Sequence, residues 1–290
     1  ADHRRVKTLL SEITTQAYSI SERVCFDNGV KRVLSQPYES TSEFVNAANT
    51  LGNMDELVFN AGEIEGLYIF TDNPSIKNYK QYRLVTPEVA ASDWYTRALD
   101  TANAFWISIQ RDAYTTDNSN LCLIRKIGLS NSDYHAVALV RLSDVYLRSR
   151  LDTSNILDAV SVDDQGIVYS SKRSWYGQPQ PVEIDFDGAY YRYSGRIKAE
   201  GTDYFATVST IHLHNTGTKM YICTLDGSGI DAIRHIMNVW VLLLLFAVLT
   251  PGIILFLFAD YFARRVELLR EEMHKARLQD LSLIHISEPT

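Results

Sequence analysis

The sequence predicts an α+β chain: a long N-terminal helix, two antiparallel-sheet subdomains, one transmembrane helix and the start of a charged helix beyond it. Three observations predict this order. Val6, Leu10, Ile13, Ala17, Ile20 and Val24 recur at spacings of 4, 3, 4, 3 and 4, a heptad stripe over the first 24 residues. Two sets of short β-rich runs follow, separated by Gly, Pro, Asn and Asp turns. Ile236 to Ala259 then runs 24 residues without a charge.

The stripe reads as one long helix with a single apolar seam, packed on the domain, on a second subunit, or on both. Helical character continues to Gln36, and Pro37 closes the segment. Thr41 to Leu51 is a second, shorter helix. The period then changes to strands at Ile64 to Thr71, broken by Asp72-Asn73-Pro74, and at Gln81 to Val85. Ser92-Asp93 caps a helix over Trp94 to Ala102. Phe105 to Gln110, Leu121 to Leu129 and Tyr134 to Leu142 read as three more strands, and Ser143-Asp144 opens another helix. The second unit begins with a hairpin, Leu157 to Val162 and Ile167 to Ser170, around Asp163-Asp164-Gln165-Gly166. Tyr190 to Ala199, Tyr204 to Ile211 and Lys219 to Leu225 complete its strands.

At about 1.5 Å of rise per residue, 24 helical residues span about 36 Å, enough for a hydrocarbon core of about 30 Å. Pro251-Gly252 sits inside and marks the expected place for a kink. Arg264, Arg265, Arg270, Lys275 and Arg277 follow the span, against only Lys219 and Arg234 in the twenty residues before it. Positive charge stays cytoplasmic, so residues 1–235 are expected outside and the C-terminal side inside. Val266, Leu269, Met273 and Ala276 form a short heptad seam on the inner helix, suited to a homodimer. The chain begins at Ala1 without Met, which leads us to expect a fragment whose upstream membrane crossing is lost. Leu281 to Thr290, LSLIHISEPT, resembles the translation of a transposase-type sequencing adapter and is set aside as an artefact.

Composition excludes several functions. The chain is acidic, with Lys+Arg 28 against Asp+Glu 35, and has no basic stripe, so nucleic acid is not expected as a partner. Three dispersed cysteines, Cys25, Cys122 and Cys223, form neither a disulfide framework nor a zinc spacing and read as small core residues. No phosphate loop, GxSxG or HExxH occurs, so no catalytic residue, metal or cofactor is assigned. His212 and His214 share one side of a predicted strand, but a metal needs further ligands.

The stalk helix, the strand IEGLYIFT, the helix opening with Trp94-Tyr95, the strand FWISI and the hairpin VDDQGIVYSS, in this order before the membrane helix, resemble the double Cache sensor domain. The juxtamembrane run Phe262 to Asp280 is similar to the start of a HAMP helix, without its usual prolines. The combination is most similar to YesM-like sensor histidine kinases. The resemblance implies a stalk helix over 1–36, a membrane-distal PAS-like (Cache) subdomain over 37–152, a membrane-proximal one over 153–235, a transmembrane helix over 236–259 and a HAMP-like helix over 260–280. It implies the ligand-sensing portion of a two-component kinase, itself without enzymatic activity. A chemoreceptor or cyclic-dinucleotide enzyme shares that input, and a tethered extracellular binding protein without output is the rival of another class.

In this resemblance the first sheet and its helix wall the ligand pocket. Tyr68, Trp94, Tyr95 and Trp106 are then candidate walls, and Arg83, Arg111 and Arg125 candidate anchors for an anionic group. Each aromatic also reads as ordinary core. The amino-acid-binding subgroup resembles Arg-x-Trp-Tyr at this helix. Ser92 stands where that Arg would, so an amino acid is not the expected ligand, and a sugar, a peptide or a partner lipoprotein stays open.

Overall fold

The computed structural model describes residues 2–51, 54, 56, 61–110, 119–151, 156–186, 188, 190–213 and 215–284. The chain divides into two compact units, Ala1–Ile230 and Asp231–Thr290.

The first unit is α+β. Helix α1 (Asp2–Phe26) is followed by α2 (Asn28–Ser35) and α3 (Thr41–Thr50). The sequence predicts one helix through Gln36, whereas the structure breaks it at Asp27. That residue is extended, and its carboxylate accepts from the Val30 N–H, so it caps a new helix instead of continuing the old one. Ser40 caps α3 in the same way through the Glu43 N–H.

Strands β1 (Ile64–Thr71), β2 (Tyr82–Leu84), β3 (Phe105–Gln110), β4 (Ser119–Ile127) and β5 (Ala136–Leu142) form the first sheet, in the order β2-β1-β5-β4-β3. All its pairs are antiparallel except β1 with β2. Helices α4 (Pro87–Ala90) and α5 (Asp93–Asp100) lie between β2 and β3 in the chain, and α6 (Asp144–Leu151) follows β5. Strands β6 (Leu157–Val162), β7 (Ile167–Ser170), β8 (Arg192–Ala199), β9 (Thr202–His212) and β10 (Lys219–Asp226) form a fully antiparallel second sheet, ordered β7-β6-β10-β9-β8. The two orders are the same when counted from each sheet's first strand. In the β6–β7 turn, Gly166 takes a φ of +81°, and a side chain there would press on the Gly177 and Gln178 carbonyls.

Helix α1 joins the sheets. Its whole stripe, Val6 through Val24, is buried in one core with Leu67, Leu123 and Val140 of the first sheet and Val160, Ile211 and Ile222 of the second. Its remaining face, with Arg4, Thr8, Ser11, Thr15, Ser19 and Arg23, is polar and exposed. The seam is therefore used up by packing on the sheets. Burying a Leu or Ile contributes about 1.5–3 kcal/mol each.

The edge strand β3 is sealed by the second sheet's turns. Trp106 N–H donates to Thr218 Oγ1 (3.0 Å), Ser108 N–H donates to Gln165 Oε1 (3.1 Å), and Ala104 bridges Thr216. On α6, Arg148 pairs with Asp144 (2.7 Å) and donates to Tyr176 Oη (2.6 Å) beyond the second sheet's hairpin.

The described residues of the second unit all belong to α7 (Ser228–Ile284). The helix runs unbroken through Pro251, and Thr250 Oγ1 donates to the Phe246 carbonyl four residues back (2.8 Å).

Candidate functional site

Polar groups gather on the first sheet's face turned away from α1. Along β1, Leu67 and Ile69 enter the α1 core while Tyr68 and Phe70 alternate onto the far face. The Tyr68 ring folds back over Gly66, where an added Cβ would sit 2.9 Å from the Tyr68 hydroxyl. Two guanidinium groups approach this ring from the strands that flank β1. The Cζ of Arg83 on β2 lies 5.2 Å from its centroid, and that of Arg141 on β5 lies 5.3 Å from it. Arg83 also donates to the Lys80 and Tyr82 carbonyls (2.5 and 2.7 Å). Arg141 Nε is buried with no hydrogen-bond partner of its own among the described residues, while the Arg141 side chain hydrogen-bonds the Cys122 thiol. Cys122, opposite Arg141 in the ladder, is fully buried. Burial pushes its thiol up to about 11 against the pull of Arg141, so it stays protonated and is no nucleophile.

Helix α5 covers part of this face. Trp94 packs edge-on against Phe70 (5.3 Å between centroids) and Tyr95 (5.6 Å). Tyr95 is buried, and its hydroxyl lacks a partner among the described residues. Burial, reinforced by the Asp72 charge, pushes that hydroxyl up to about 12. Asp72 is itself engaged with His135, accepting from its N–H (2.6 Å) and meeting its Nδ1 (2.8 Å). Arg97 stacks on Phe105 (4.2 Å), and Lys126 donates to the Leu99 carbonyl near the end of α5 (2.6 Å).

The structure divides the seven residues grouped from sequence. Tyr68, Arg83, Trp94 and Tyr95 come together on the far face. Trp106 points the other way, into the α1 core, because Phe105 and Ile107 take the far side of β3. Arg125 also faces α1, within 5.1 Å of both the Tyr18 and Phe26 ring centroids and 3.6 Å from Glu22. Arg111 lies outside the described residues. Sequence reasoning missed Arg141; the available signal was a lone charge in the otherwise apolar strand AVALVRL. His212 is exposed and His214 lies outside the described residues. Among the described residues no group of three or more His, Cys, Asp or Glu is placed to hold a metal.

No family model and no curated protein matches the chain. Solved structures do. The periplasmic sensory domain of a Campylobacter jejuni chemoreceptor matches with a TM-score of 0.53 and 10% identity, over 78% of this chain and 92% of that one. The ligand-binding domain of a Pseudomonas aeruginosa amino acid chemoreceptor, in complex with GABA, matches with 0.53 and 13%, over 76% and 94%. An extracellular domain assigned to a histidine kinase matches with 0.52 and 13%, over 79% and 91%. The two-sheet unit has the double Cache fold.

Within this double Cache fold the far face of the first sheet holds the cationic cluster. The far face of the second is apolar, built from Trp175, Val182, Ile184, Val208, Tyr221 and Cys223. In the other unit, His235–Lys275 is long and apolar enough to cross a membrane, with a mean hydropathy of 2.9 over its most apolar window. None of that window is buried, unlike the core helix of a water-soluble fold.

Proposed function

We propose that this chain is the ligand-sensing and transmembrane portion of a two-component sensor histidine kinase. Residues 1–235 lie outside the cell, with 37–152 the membrane-distal subdomain and 153–235 the membrane-proximal one. Residues 236–259 cross the bilayer, and 260–280 begin a HAMP-like cytoplasmic helix. The observation that carries this reading is a sensor-domain fold joined through one residue, Gly227, to a helix with an exposed, charge-free apolar stretch. Lipid is the natural cover for such a surface.

A small molecule held against Tyr68, Arg83, Trp94 and Tyr95 would act by its differential affinity for two arrangements of the receptor. The cytoplasmic seam Val266, Leu269, Met273 and Ala276 would change packing in a homodimer. Labelling of single cysteines at Thr8 and Arg270 in intact cells tests the topology. An impermeant reagent reaches position 8 and not position 270; the reverse overturns the reading. Disulfide yield at Leu269→Cys then reports the signal, and a yield indifferent to every bound ligand overturns the seam. Chemoreceptor domains share the fold, so autophosphorylation of the intact protein decides the output.

A further inference from the structure

We propose that the outer edge of the second sheet, strand β8, is a docking site for an extended acidic segment of a partner protein, which adds to the sheet as a further strand. This goes beyond the ligand-sensing reading and does not rest on it.

Each sheet ends in two edge strands, and three of the four edges are closed. The β3 edge is sealed by Thr218 and Gln165. On β2, Tyr82 exchanges backbone bonds with Tyr79, and the Leu84 N–H donates to Asn78 Oδ1 (2.9 Å). On β7, the Ile167 N–H donates to the Gln178 carbonyl (2.8 Å), and the Ile167 carbonyl accepts from the Gly177 N–H (2.9 Å). β8 is the longest of the four edge strands and contains no proline. In an antiparallel pair, residues that bond the neighbouring strand alternate with residues whose backbone groups point away from it. The Thr210 N–H donates to the Tyr191 carbonyl, which fixes the phase. Tyr193, Gly195, Ile197 and Ala199 then bond β9, and the N–H and C=O groups of Arg192, Ser194, Arg196 and Lys198 point outward. No described residue hydrogen-bonds those outward groups. Such a row of donors and acceptors is a template for one more strand.

The side chains decide which strand fits. Arg192, Ser194, Arg196 and Lys198 are all exposed. They share the face turned to α1, since Arg192 lies opposite Ser209, whose hydroxyl meets His3. Asp203 stands opposite Lys198, and the exposed Phe205 opposite Arg196. Glu200, beyond the end of β8, already accepts from Lys172 and Trp175 Nε1. On the other face Tyr193 and Ile197 are half-buried against the apolar core. A segment laid along β8 therefore meets cations on one side and apolar surface on the other. Alternating acidic and apolar residues match both. The same cations bar a second copy of this strand. β8 paired antiparallel with itself sets Arg192 against Arg196 or Lys198, according to register, and like charges across a ladder repel. An anionic lipid surface would meet the charges but leave the backbone row unpaired.

The test uses the full chain in phosphatidylcholine nanodiscs at pH 7. The probe is a dye-labelled peptide of alternating glutamate and valine, as long as β8, followed by fluorescence anisotropy. Saturable binding is expected. The same peptide with lysine for glutamate should bind at least tenfold more weakly. N-methylation of its glutamates or of its valines, whichever N–H groups face β8, should also weaken binding at least tenfold. R192E/R196E should lose the glutamate peptide and take up the lysine peptide instead, whereas R23E on the exposed face of α1 should change neither. The substituted side chains are exposed, and matching melting curves confirm that the variants fold. A glutamate peptide that does not bind overturns the proposal. So does binding that both N-methylated peptides retain, because that is attraction between charges without a strand. Capture of phosphatidylglycerol vesicles instead of the peptide, abolished in R192E/R196E, assigns the row to lipid and overturns the strand. Disulfide dimers of Ser194→Cys that the peptide does not displace assign the edge to a second copy and overturn it too.

Discussion

The two sheets share one strand order and one helix, yet their far faces differ. In the second sheet the far face is closed by the chain that follows β7. Trp175 lies in its core, with its Nε1 donating to Glu200 (2.7 Å), and Gln180 donates to the Ala159 carbonyl and Ser161 Oγ. In the first sheet a two-turn helix packs Trp94, Tyr95 and Ala98 onto the face, and two guanidinium groups stand beside that apolar cluster at the Tyr68 ring. The difference teaches that strand topology alone does not decide how a far face is filled; the chain packed on it does.

The sharpest way to break this comparison is to damage the closed face. Trp175→Ala should lower stability by about 3–5 kcal/mol in denaturant unfolding. Ligand binding by the first sheet should be unaffected wherever the protein remains folded. A parallel loss of affinity would show that the faces are not independent.

Leu10→Ala probes what the sheets share. A loss of about 2–5 kcal/mol is expected, in a single transition, because the α1 core runs through both sheets. Two separate melting steps would show that the shared core does not couple them. Gly66→Ala acts on the open face alone. The methyl meets the Tyr68 ring, which should shift at a stability loss of about 1–3 kcal/mol. Binding should weaken clearly more than the same stability loss introduced at α1.

The smallest effect is a pH slope at the foot of α1. His3 packs on the second sheet, 3.0 Å from Thr224 Oγ1 and 2.8 Å from Ser209 Oγ. Burial, with Lys7, Arg192 and the N-terminus adding to it, pushes its imidazole below the ordinary value of 6.5. Between that lowered value and 6.5 the unfolded chain binds more protons than the folded one. Stability is therefore whole above pH 6.5 and declines as the pH falls toward the lowered value. Melting curves between pH 5 and 7.5 should show the slope in the wild type and its loss in His3→Gln.

Much of the architecture is legible in the sequence, because period and punctuation are local. β1, β3, β6 and β7 carry the bounds that alternation and turn residues predict. Ser40, Ser92 and Asp144 stand where helices start. The break at Asp27 is harder to see: Asp favours caps, but the apolar spacing of Val30, Val33 and Leu34 carries the helical period on past it. The site is less legible for a geometric reason. Alternation shows that Trp106 opposes Phe105, but not which of the two faces α1. That depends on strand pairing, and it moved Trp106 and Arg125 away from Tyr68. Pairing also brought in Arg141, which sits opposite Gly66, 75 positions away in sequence.

The sealed edge of β3 has a consequence for handling the protein. Its outward N–H groups at Trp106 and Ser108 are satisfied only by Thr218 and Gln165 among the described residues. Cut away from the second sheet, the segment FWISIQ would become a bare, charge-free β-edge rich in aromatic and branched residues, the kind that templates intermolecular cross-β growth. Expression of the first sheet by itself is therefore expected to yield insoluble aggregates, and its solubility depends on a neighbour more than 100 positions downstream.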